Sequence, residues 1–129
     1  MPTWEETRDH LRATYKLLHD DAAWMGIGFA FMRDGKALHQ RVRVEPRDIY
    51  GVPGVMAWCD VVPVGAVPAE KVLQRNMAFR IGALAAHEGL LVLVATLPLD
   101  GVVFGTFDKI LEHLARDAAS LREDAPPAS

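Results

Sequence analysis

The chain has one cysteine and two serines in 129 residues. A lone thiol, Cys59, cannot close an intramolecular disulfide, and a reducing compartment is the default for such a sequence. It sits inside an apolar run, where a cysteine is inert packing, because a reactive thiol needs exposure and positive surroundings. The serines, Ser120 and Ser129, lie near the C-terminus and outside any G-x-S-x-G turn, which argues against a serine nucleophile. Long hydrophobic runs are also missing. The longest, "GLLVLVATLPL", is too short to span a bilayer and contains a proline. The first residues hold no apolar core of signal-peptide length. Neither sign of charge dominates: the net charge is −3 and the pI about 5.9, so the whole chain is not built to attract nucleic acid or anionic lipid. These absences lead us to expect a soluble, cytoplasmic protein with no nucleic-acid or membrane partner.

With 50% hydrophobic and 24% charged residues, the sequence has the composition of a globular domain. We expect a single domain over residues 1–124 and a disordered tail over 125–129. Thr3 and Glu6 have capping-box spacing, and Trp4, Leu11, Tyr15 and Leu18 follow at helical intervals. The pattern predicts a first helix ending near Asp20. Asp34-Gly35 is a two-residue hairpin signal, since both central positions of the favoured turn need positive φ. Pairing outward from it sets Phe31, Phe29, Ile27 and Met25 opposite Leu38, Gln40, Val42 and Val44. The other hairpin face then sets Met32, Ala30, Gly28 and Gly26 opposite Ala37, His39, Arg41 and Arg43.

Residues 55–64, "VMAWCDVVPV", predict a third strand that is apolar on both faces. A short helix follows over "AVPAEKVLQRN", with Pro68 in its first turn. Residues 78–86 and 90–97 predict two more strands, and residues 101–123 a long amphipathic helix. The expected fold is α+β, in the order α-β-β-β-α-β-β-α, an antiparallel sheet with helices packed on it.

His87-Glu88 could open a zinc-protease motif, but that motif needs a second histidine at position 91, where the chain has Leu91. The pair reads instead as a bend between strands. His113 and Asp117 stand one helical turn apart, yet a metal site needs at least one more ligand, so no metal and no cofactor are expected. "GIGFAFMRDGK" lacks the Walker spacing, with Ala30 and Ala37 where glycine and Ser or Thr are required. No catalytic residue emerges, and the reading is that of a non-enzyme.

The stretch "VLQRNMAFRIGALAAHEGLLVLVATLPLDGVVFGTFDKILEHLARDAASL" resembles the YbjN-like proteins and the class I type III secretion chaperones (the CesT-like group), which share one fold. The resemblance rests on a short helix ending in Asn76, a hairpin turning at Glu88-Gly89, "LVLVATLPLDG", and a long Leu- and Ala-rich helix. It covers residues 70–122 in sequence and residues 1–124 in element order. What it implies is a small acidic homodimer without enzymatic activity that wraps an extended segment of a client protein. The YbjN-like members imply the alternative, a stress, regulatory or signalling protein that binds a folded partner. Within this reading, Leu11, Tyr15, Leu18, Phe29 and Phe31 are candidate apolar partner contacts, with His39, Arg41 and Arg43 as polar anchors. The two-faced apolar strand needs cover, which makes Trp58, Val62, Val72 and Leu73 the candidate dimer interface.

Overall fold

The computed structural model describes residues 2–125, so residues 126–129 of the expected tail lie outside the described residues. Along the chain run α1 (Trp4–Thr14), β1 (Lys16–Asp20), β2 (Met25–Arg33), β3 (Lys36–Ile49), β4 (Val52–Pro63), α2 (Ala69–Asn76), β5 (Ala83–His87), β6 (Leu90–Pro98) and α3 (Phe104–Asp124). The strands make one six-stranded sheet in the order β1-β2-β3-β4-β6-β5, antiparallel at every pairing. The class is α+β as expected, with one strand more.

That additional strand corrects the sequence reading of the first helix. Thr3 caps α1, its side chain accepting from the Glu6 amide at 3.1 Å, but the helix stops at Thr14 and Tyr15 is already extended. Residues 16–20 then alternate in exposure and pair with β2. The Asp21 carboxylate closes the turn between them, accepting from the amides of Ala23 at 2.8 Å and Trp24 at 3.1 Å. This local side-chain cap offers the backbone a turn in place of a further helical one. Arg12 and Arg8 reach Asp20 at 2.7 Å and 3.2 Å, tying the helix to the new strand.

The hairpin signal at Asp34-Gly35 gives the predicted register, from Arg33 opposite Lys36 to Met25 opposite Val44. β3 then continues through Pro46, further than expected. β2 pairs no further than Val44, so β3 beyond it is an edge, where a proline is tolerated in a sheet. Tyr50 and Gly51, with φ of 52° and 85°, turn the chain into β4. β5 is shorter than the expected 78–86, and Glu88-Gly89 is the β5–β6 turn, with φ of 50° and 82°.

One face of the sheet carries the core. Met25, Ile27, Val42, Val44, Val55, Ala57, Cys59 and Leu93 project into it and meet Leu11 of α1 and Phe107, Leu111, Leu114, Ala115 and Ala118 of α3. Each fully buried Leu or Phe contributes about 2 kcal/mol relative to exposure. Asn76 fastens the end of α2 to β5, its side-chain oxygen accepting from the Leu84 amide at 2.6 Å. Lys36–Glu123 at 2.8 Å and Arg33–Asp124 at 2.9 Å hold the β2–β3 turn against the end of α3.

Candidate functional site

Alternation along the strands sorts the sequence-predicted contact residues between two faces. Leu11 is 0% exposed and lies wholly in the core. Its assignment as a partner contact is corrected: a helix stripe that packs on the sheet has no surface left to offer. Phe29 and Phe31 are half-buried on the same, helix-bearing side. Phe29 packs against Tyr15, with ring centroids 5.3 Å apart, and stacks on Phe31 at 5.9 Å. The Arg116 guanidinium lies 4.5 Å from the Phe31 ring centre. Leu18, His39, Arg41 and Arg43 line recesses on the opposite face, so the expected contacts do not form one patch.

The outer face is a built surface. Trp24 and Trp58 hold the Arg43 guanidinium between them, 4.2 Å and 5.4 Å from their ring centres. His19 stacks on Trp24 at 3.6 Å, and His87 meets Trp58 edge-on at 5.3 Å. Glu45 accepts from Arg43 at 3.3 Å and from the Trp58 indole at 3.2 Å, which fixes the ladder at its centre. Such cation–π contacts are worth about 0.5–1 kcal/mol at exposed sites, so their main effect is to hold the surface in one conformation.

Beside the ladder, a trough of about 630 Å³ runs over β2. Its floor includes Gly28 and Ala30, its β1 side Lys16 and Leu18, and its β3 side His39 and Arg41. Leu18 is 46% exposed. Arg122 reaches into the trough from α3, donating to the Gln40 side-chain oxygen at 2.6 Å and to the His39 carbonyl. Gln40 in turn donates to the carbonyls of Asp60 and Arg41, both at 3.1 Å, so this buried amide is satisfied.

Of the expected dimer residues, Val62 and Val72 come together in a recess of about 210 Å³ with Leu84, Leu91 and Leu121. Leu73 points outward at 68% exposure, as does Met77 at 90%. Trp58 does not join them, since it belongs to the ladder on the outer face.

A polar cluster that sequence reasoning missed joins the helix layer. Asp108 of α3 takes the Tyr15 hydroxyl at 2.7 Å and His10 Nε2 at 2.8 Å on one oxygen. His10 also stacks flat on Phe104 at 4.2 Å. Burial and the Asp108 carboxylate raise the Tyr15 hydroxyl well above the ordinary tyrosine range. His10 and Asp108 are 98 positions apart, and no local spacing signals such a contact. The cluster acts as a fastener between α1 and α3.

The catalytic and metal candidates remain dispersed. Burial, and next the Asp60 charge, push the Cys59 thiol up to about 12. His87 lies 3.8 Å from Glu88 at the β5–β6 turn. No group of three or more His, Cys, Asp or Glu among the described residues could hold a metal ion. No helix of the described residues is long and apolar enough to cross a membrane.

No protein-family model matches the sequence, and no curated protein does. A solved structure does: a chain of the HopA1–SchA chaperone–effector complex superposes with a TM-score of 0.62 over 93% of this chain and 94% of that chain. The two chains share one fold. Sequence identity is 16%, so the likeness is carried by the path of the backbone. In this fold the trough and the Trp24–Arg43–Trp58 ladder occupy the sheet face opposite α1 and α3.

Proposed function

We propose that the chain is a non-enzymatic, cytoplasmic, single-domain homodimer that captures an extended segment of a partner protein. The observation that carries this reading is the end-to-end match to a chain of a chaperone–effector complex, 93% of one and 94% of the other. Support comes from the outer sheet face, which no helix of the described residues covers and which presents a trough beside a pre-ordered aromatic surface. Leu18, His39, Arg41 and Arg43 supply the contacts, with Phe29 at the trough rim and Tyr15 positioning Phe29 from behind. Val62, Val72 and the exposed Leu73 of α2 supply the dimer contact, for which an amphipathic helix with no buried residue is suited.

A second reading, a YbjN-like regulatory or signalling protein that binds a folded partner, is favoured by one observation. The ladder is held in place by Glu45, with Arg43 between Trp24 and Trp58, a surface that suits a preformed counterpart. Native mass spectrometry of the protein isolated gently from its host separates the two. A dimer with one added polypeptide that is protease-sensitive when free supports capture of a segment. A dimer with a protease-resistant partner supports the second reading, and a monomer contradicts both the dimer and the role given to α2.

A further inference from the structure

The trough over β2 has a charge of its own sign. Gly28 pairs with Lys16 on one side and with Arg41 on the other, so these three residues form a single cross-strand row. With no side chain at the middle position, the Leu18 side chain lies over Gly28, and two cations flank it. Both are exposed. Arg8, Arg12, Arg33, Lys36, Arg43 and Arg116 have carboxylate partners; among the described residues the other Lys and Arg side chains have none, and of those Lys16, Arg41 and Arg122 line the trough. Among the described residues Asp60 is the one carboxylate lining the trough, against Lys16, Arg41 and Arg122. A net positive trough thus opens on a chain whose net charge is −3. Its apolar contact is Leu18, whose side chain would lie 3.4 Å from a Cβ at Gly28.

We propose that the trough binds an acidic extended peptide, with an apolar side chain seated on Leu18 over Gly28 and carboxylates to either side at Lys16 and Arg41. The proposal rests on the reading of the protein as a partner-capturing chaperone and names the chemistry of the captured segment. Partner carboxylates complete the row: each cation gains the counter-charge that the chain's other paired cations already have. A nucleic-acid strand fits less well, because the trough holds Asp60 and its neighbouring tryptophans are already stacked on Arg43 and His19. Phosphate backbones need a broader basic patch, and single strands need free aromatic faces.

The test uses the full chain and a synthetic peptide alternating glutamate with leucine, followed by calorimetry and by tryptophan emission. Trp24 and Trp58 border a recess that shares Leu18, Arg41 and Asp60 with the trough, so occupancy is read without a label. The glutamate peptide is expected to bind, to weaken with added salt, and to lose roughly tenfold in affinity to Lys16→Glu/Arg41→Glu. A peptide with lysine in place of glutamate is expected to prefer that variant. Both sites are exposed, so an unchanged near-ultraviolet spectrum separates lost binding from lost folding. Equal binding of a glutamine-for-glutamate peptide, no binding of the glutamate peptide, or tighter binding of oligothymidylate overturns the proposal. Should the host's own client still be retained by the double variant, partner capture stands and only its acidic chemistry fails.

Discussion

Leu11 and Leu18 look alike in the sequence but should behave oppositely when truncated. Leu11 is 0% exposed and Leu18 46%. Leu11→Ala removes three carbons from the junction of α1 with the core. At about 0.8 kcal/mol per buried methylene the transfer contribution is roughly 2.4 kcal/mol. The residual cavity raises the total to about 3 kcal/mol, within the 2–5 kcal/mol typical of such truncations. With an m-value of about 2 kcal/mol/M in urea, the unfolding midpoint falls by roughly 1.5 M. Leu18→Ala, on an exposed strand position, shifts it by less than about 0.5 M. Urea titration followed by tryptophan emission measures both variants. Partner binding should show the reverse order, Leu18→Ala weakening it and Leu11→Ala acting only through stability. A Leu11→Ala cost below about 1 kcal/mol would refute the burial of the α1 stripe and restore it as a contact surface.

Gly54→Ala should destabilise by about 1–3 kcal/mol, because a Cβ there meets the Ile49 side chain and lies 2.8 Å from the Leu97 carbonyl across the β4–β6 pairing; thermal unfolding gives the value, and an unchanged midpoint contradicts this packing. Cys59, its thiol pushed up to about 12 by burial, should resist an aromatic disulfide reagent at pH 8 while folded and react fully once denatured; rapid reaction in the native state refutes its placement. The Asp21 carboxyl is lowered, first by its hydrogen bond from the Trp24 amide and then by His19 and the Ala23 amide. Its contribution to the β1–β2 turn is therefore present above the unfolded value of about 3.9 and is lost as pH falls through the lower folded value. Amide resonances of Ala23 and Trp24 should titrate with a midpoint below 3.9, and a midpoint at or above it contradicts the turn geometry.

The β2–β3 register was legible because Asp34-Gly35 accepts the positive φ that a tight hairpin demands, and everything outward follows by counting. The Glu88-Gly89 turn was legible for the same reason. The end of α1 was not. Leu17 and Leu18 satisfy a helical stripe and a strand alternation equally, and what decides between them is β2, whose edge needs a partner. The extent of β3 was hidden because Pro46 reads as a stop, and only the place where β2 ends makes it an edge residue. For the site, counting placed His39, Arg41 and Arg43 on one face. It could not show that Trp24 and Trp58 would enclose Arg43, or that Arg41 would be left without a partner, because those contacts depend on the loop before β2 and on β4. The His10–Asp108–Tyr15 fastener joins both ends of the chain and leaves no trace in either.

The central claim is that the uncovered sheet face takes up the partner segment. Hydrogen exchange on the purified protein, alone and with its client bound, tests it most directly. The account predicts new protection over Lys16–Asp20 and the β2–β3 hairpin, with α3 unchanged. Protection confined to the helix face, with the β1–β3 strands exchanging as in the free protein, would contradict it.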